Sequence, residues 1–153
     1  GVMARLTLLR SPQSPDPHPD QGCHHLVYSL LTDARVESAH VEAARLNQPL
    51  QVRSGTVELP STARIEPVHG TAVIDAVKQA FDGFGDLVIR IHEAEGARSR
   101  VRLLLDRDGC VSEVDLLEDP IDEPTQQLPA STCSRVELTL RPFQILTLRV
   151  SQR

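Results

Sequence analysis

Residues 16–25 bring together Asp16, His18, Asp20, Cys23, His24 and His25, side-chain types that serve as metal ligands or as acid/base groups. Zinc takes three or four N or S donors converging at about 2.0–2.3 Å. Cys23, His24 and His25 are consecutive, however, and neighbouring side chains on a strand point to opposite faces. A structural role for His24 beside Tyr28 is therefore preferred to a metal site. Asp16 and Asp20 have the residue type of a catalytic carboxylate pair, four positions apart in a proline-rich stretch. His40, His69 and His92 are scattered, and Cys110 and Cys133 have no partner nearby in sequence, so small core or surface residues is their default reading. No GxSxG nucleophile elbow occurs.

The elements that would position these residues follow from periodicity. Residues 2–9 alternate, with Ala4, Leu6 and Leu8 on one side and Arg5 and Thr7 on the other, which predicts a half-buried strand. Arg10 stands at its end. The loop beyond it carries Pro12, Pro15, Pro17 and Pro19; each fixes φ near −65° and biases the preceding residue toward extended backbone, so the loop is stiff. Gly22 is a candidate for positive φ. A second strand is predicted over residues 24–31, with His24, Leu26, Tyr28 and Leu30 on one face.

Val36, His40, Ala43 and Leu46 fit a helix over residues 36–47, ended by Gln48-Pro49. Residues 50–70 read as loop with a short strand near residues 56–59. TAVIDAVKQAF fits a helical stripe and an alternating strand equally. DGFGD reads as a turn, and LVIRIHEAE, SRVRLLLD, CVSEVDLLE, RVELTLRP and FQILTLRV as separate strands, with residues 106–109 a turn between the second and third. Closely spaced strands with one short helix predict an all-β fold, an antiparallel β-sandwich.

At 153 residues the chain has the length of one domain, 1–153, able to bury roughly 70% of its unfolded surface. Its net charge of −5, without a Lys/Arg-rich run, gives nucleic acid or an anionic membrane nothing to grip. Aromatics at 3% leave little on which bases could stack. Three cysteines without CxxC spacing point to a reducing, cytoplasmic compartment. Gly1 begins almost directly in a strand pattern, so the chain reads as a fragment of something longer.

The opening segment resembles the C-terminal part of bacterial glycoside hydrolase family 38 α-mannosidases, whose form is LxLLRSPxxPDPxxDxGxHxFxYxL. This chain supplies Leu6, Leu8, Leu9, Arg10, Ser11, Pro12, Pro15, Asp16, Pro17, Asp20, Gly22, His24, Tyr28 and Leu30, with Leu26 where the family favours phenylalanine. EAARLNQPL, EVDLLED and LRPFQILTLRV are similar to further family segments, with Gln144 in place of a glutamate. AVKQAFDGFGDLVIRIHEAEG resembles a segment of the type xxKxxEDGxGxxxRxxExxG.

The resemblance implies a C-terminal sandwich of the galactose mutarotase-like supersandwich type, with residues 73–81 a strand. It also implies an enzyme that releases terminal α-mannose with retention, its nucleophilic aspartate and zinc ligands lying in a separate N-terminal catalytic domain. No catalytic residue, cofactor or metal is then expected here, and Asp16 and Asp20 are not the catalytic pair. Arg10 is the expected substrate-binding residue, reaching the edge of the active site, where its guanidinium can make paired hydrogen bonds that lysine cannot. The competing role for Arg10 is an ion pair with Asp16 or Asp20 that locks the loop. The expected partners are the enzyme's own catalytic domain and an α-mannoside glycan. A rival reading is an independent carbohydrate-binding sandwich, for which the chain offers only Tyr28 and no tryptophan as a sugar platform.

Overall fold

The computed structural model describes residues 3–12, 14–48, 52, 54–55 and 63–151. Within them one helix is followed by six strands: α1 (Val36–Asn47), β1 (Ala63–His69), β2 (Ala72–Gln79), β3 (Leu87–Glu93), β4 (Ser99–Val114), β5 (Cys133–Leu140) and β6 (Ile145–Ser151). All strand pairs are antiparallel. The fold class is the expected all-β sandwich with one short helix.

β4 joins the two layers. Its first half lies between β1 and β5, pairing from Ala63↔Leu105 to His69↔Arg100 on one side and from Ser99↔Leu140 to Leu104↔Arg135 on the other. Its second half pairs with β6, from Cys110↔Ser151 to Val114↔Thr147, and β6, β3 and β2 complete the other layer. Ile89, Ile91, Leu146, Leu148 and Val150 of that layer meet Val101, Leu103, Val136, Leu138 and Leu140 of the first in one buried cluster. Each fully buried Ile or Leu side chain stabilises by about 1.5–3 kcal/mol relative to exposure, which is what holds two otherwise amphipathic sheets together.

Four expectations need correction. SRVRLLLD and CVSEVDLLE are not two strands: β4 runs unbroken through 16 residues, because Gly109 lets it pass under β6 where a turn was predicted. Residues 115–118 lie beyond its end. The supposed loop over residues 50–70 contains β1, whose Pro67 lacks a ladder donor and sits on a strand paired on one side only. The strand expected near residues 56–59 lies outside the described residues. Residues 3–9 and 24–31 form no strand and are exposed throughout.

The helix forms over the predicted residues and the ambiguous stretch is β2, as the family resemblance implied. Beyond β4, residues 115–132 cross the β5 edge. The buried Gln126 side chain donates to the Thr139 carbonyl at 3.0 Å and accepts from the Thr139 N–H at 3.0 Å, standing in for a strand partner. Glu113 holds this segment through the N–H groups of Thr125 and Gln126. Gln126→Ala should therefore cost about 1–2 kcal/mol, read as a lower urea midpoint with unchanged m-value; an unaltered midpoint would mean that the amide contributes nothing.

Candidate functional site

Arg10 is exposed, and among the described residues it makes no ion pair with Asp16 or Asp20. The loop is held by its own short-range bonds instead. The His18 N–H donates to the Asp16 carboxylate at 2.9 Å, Gln21 Nε2 lies 3.2 Å from His18 Nδ1, and His24 Nε2 lies 2.9 Å from the Asp20 carbonyl oxygen. Gly22 takes φ +130°, as anticipated. The loop-locking ion pair of Arg10 with Asp16 or Asp20 is thus not formed. His24 has a structural role through this backbone bond, and Tyr28 is exposed. Among the described residues no group of three or more His, Cys, Asp or Glu side chains could hold a metal ion.

Residues 3–31 also expose Leu6, Leu8, Leu26, Tyr28 and Leu30. The alternation that suggested strands is real, yet among the described residues it meets no sheet. α1 connects to the sandwich at His40, whose ring stands edge-on to His92 at 5.3 Å between centroids. His92 Nδ1 in turn lies 2.8 Å from Asp75, which a register shift between Ile74 and Ala76 turns toward it. These two histidines, scattered in the sequence, are neighbours in space.

The segment that carries the family motif folds into two polar nodes, one at each end of β3. Along β3 the core face reads Ile89, Ile91, Glu93, so the strand drives a carboxylate into the end of the apolar core. There Glu93 accepts from the N–H groups of Gly96 at 2.8 Å, of Glu95 and Phe143 at 2.9 Å and of Ala97 at 3.2 Å, and from the Ser99 hydroxyl at 3.3 Å. Ser99 also accepts from the Thr71 N–H at 3.1 Å, tying a third turn to the node. Burial alone would raise the carboxyl pKa, but the N–H donors, that of Phe143 foremost, outweigh it and hold Glu93 below the usual carboxylate range. Gly96 sits at φ +73°, which favours glycine, and a Cβ there would also displace the exposed Phe143 ring, 2.5 Å away.

At the other end of β3, Lys78 pairs with Glu118, which also accepts from the Phe81 N–H at 2.7 Å. Arg149 bonds Asp86 at 2.7 Å and Asp82 at 2.5 Å, and Arg90 donates to the Leu116 carbonyl at 3.1 Å. The Lys78 side chain, ahead of the Phe81 N–H, keeps Glu118 below the ordinary glutamate value. The Phe84 N–H, ahead of Arg149, does the same for Asp82. Lys78, Asp82, Gly83 and Gly85, which fit the start of xxKxxEDGxGxxxRxxExxG, and Arg90, Glu93 and Gly96, which stand one position later than its R, E and G, thus lie in or hold these turns.

A family description, glycosyl hydrolases family 38 C-terminal beta sandwich domain, matches residues 71–148, which run from β2 into β6 and include the Glu93 node and all of the other node but Arg149. The chain belongs to this family. Among its relatives, human alpha-mannosidase 2C1 is 34% identical over 161 residues, covering 97% of this chain and 15% of that protein. Alpha-mannosidase G of Dictyostelium discoideum is 33% identical over 60% of the chain and 9% of its own length. The alpha-mannosidase of Saccharomyces cerevisiae is 25% identical over 98% of the chain and 16% of its own length. This family 38 sandwich therefore spans about 15% of the human relative it matches.

Sequence reasoning named Arg10 and missed Glu93. The signal for Glu93 was present: an acid occupies the third core-facing position after Ile89 and Ile91, where alternation calls for an apolar residue.

Proposed function

We propose that this chain is the C-terminal, non-catalytic sandwich of a cytoplasmic, bacterial-type family 38 α-mannosidase involved in mannose metabolism, and that it supports the catalytic part while Arg10 edges the substrate pocket. The α-mannosidase names of the human, slime-mould and yeast relatives support the activity of the whole protein. The bacterial character rests on the proline-punctuated motif from Leu6 to Leu30, and the cytoplasmic location on three free cysteines. Retaining hydrolysis needs two carboxyl groups about 5 Å apart; on this reading they, and the zinc that would polarise the sugar hydroxyls, belong to the remainder of the enzyme.

The observation that carries the proposal is the state of the described residues between 3 and 31: an arginine with no ion pair among the described residues, on a stiff loop flanked by two apolar alternations that are exposed. Packing of Leu6, Leu8, Leu26 and Leu30 against the catalytic part would present the Arg10 guanidinium at the pocket rim, where it can bind an α-mannoside hydroxyl or orient a carboxylate.

In the intact enzyme, Arg10→Ala should lower kcat/KM on an aryl α-mannoside about tenfold, roughly 1.4 kcal/mol of transition-state stabilisation, with little change in melting temperature. Arg10→Lys should recover only part of it, since an ammonium lacks the paired donors. A fall in melting temperature with unchanged turnover per folded molecule would instead make Arg10 a loop-holding residue. Mannosidase activity in the isolated 153-residue chain would overturn the assignment of chemistry to the rest of the protein.

A further inference from the structure

Resting on the α-mannosidase reading, we infer that the two turns at the Leu87 end of β3 form an apolar knob that seats in a recess of the same polypeptide outside this chain. The first turn exposes Phe81 by 93% and Phe84 by 85%; the second, residues 115–119, exposes Leu116 by 60% and Leu117 by 79%. Phe81 and Leu117 line one shared cleft.

Loose loops often expose apolar residues, but these are braced. Glu118 of the second turn binds the Phe81 N–H and Lys78 of the first, and Arg90 grips the Leu116 carbonyl from β3. The Asp82 carboxylate takes the Phe84 N–H at 3.1 Å, and Asp115 takes the N–H groups of Leu117 at 2.8 Å and Asp119 at 2.9 Å. Four large apolar side chains are therefore held out toward solvent on a preorganised frame, which lowers the entropy lost on docking.

Charge and size decide the occupant. Lys78 answers Glu118 and Arg149 answers Asp82 and Asp86, while Asp115 and Asp119 beside them make the rim slightly acidic, so an apolar recess without an acidic rim fits. The four side chains expose on the order of 600 Å², short of the roughly 800 Å² per partner of a standard interface between separate proteins. A patch of that size suffices within one polypeptide, where covalent linkage supplies the effective concentration.

The test places a photo-crosslinker in the intact α-mannosidase, Phe84→p-benzoylphenylalanine, followed by irradiation and peptide mass spectrometry. The expected result is a cross-link inside a single polypeptide to a residue outside these 153 positions, with its yield reduced at least fivefold when Leu117→Asp is added. A cross-link between two polypeptides, one within this chain, or none in a folded protein overturns the inference. Measuring α-mannosidase activity on the same preparation separates the two readings: an inactive protein with the internal cross-link refutes the enzyme assignment and leaves the knob standing.

Discussion

Glu93→Gln is expected to destabilise the sandwich by about 3–5 kcal/mol, the range for breaking a buried, charge-assisted hydrogen-bond set, and to lower its melting temperature by roughly 10 °C. The amide is nearly the same size as the carboxylate, so packing is preserved. Its NH₂ group, however, donates where the carboxylate accepted, and it faces the N–H groups of Gly96, Ala97, Phe143 and Glu95. At least one of its contacts then sets donor against donor inside a site from which water is excluded. The damage should spread, because the node ties the β3–β4 turn, the β5–β6 turn and, through Ser99, the β1–β2 turn.

The pH dependence has a definite sign. Glu93 is held below its ordinary value in the folded state, so its contribution is present above the unfolded-state pKa and is lost as pH falls through the lower folded value. The gap between wild type and Glu93→Gln should therefore be widest near neutrality and close in acid. Urea unfolding at several pH values measures it. A gap of under 1 kcal/mol at pH 7, or one that grows in acid, would show that the carboxylate does not organise these turns.

How much of this was legible follows from what each residue type encodes. Period-2 alternation marked β3, β5 and β6 because their partners are long strands of the same fold, so the pattern and its burial coincide. The same alternation in residues 3–9 and 24–31 misled, since it reports only which side chains want burial, and here nothing among the described residues provides it. β1 was hidden because Arg64, Glu66 and Pro67 mask its apolar face, which shows only in Ala63 and Ile65. Arg10 could be named only through family resemblance. Its local types say arginine beside a stiff loop; they do not say what it reaches. Glu93 and the Asp75–His92–His40 contact depend on register between distant segments, which local spacing cannot supply.

Gly109→Ala should cost about 2–3 kcal/mol, the upper part of the usual range for overpacking a filled core, although alanine is the smallest change available. A run such as DRDG reads as a turn because glycine and aspartate are turn residues, yet here glycine does something else. It lies at the register shift between Leu104 and Gly109 where β4 leaves β5, and Cys110, next to it, begins the pairing with β6. A Cβ at this buried position would lie 2.5 Å from Val150 Cγ1 and 3.2 Å from the Ser151 carbonyl oxygen. Val150 is β-branched and buried, so its rotamer has little freedom to yield, and the carbonyl belongs to the β6 backbone. The strand must then lift away from β6 at the point where the two layers join. Val150→Ala alone should also destabilise, by removing buried methyl groups. Combined with Gly109→Ala it should cost clearly less than the sum, because the deleted methyl is the one that collides. A double-mutant cycle in urea measures this coupling. Additive losses would mean that the glycine is required for backbone reasons alone, and that close passage beneath Val150 does not explain how one strand serves both sheets.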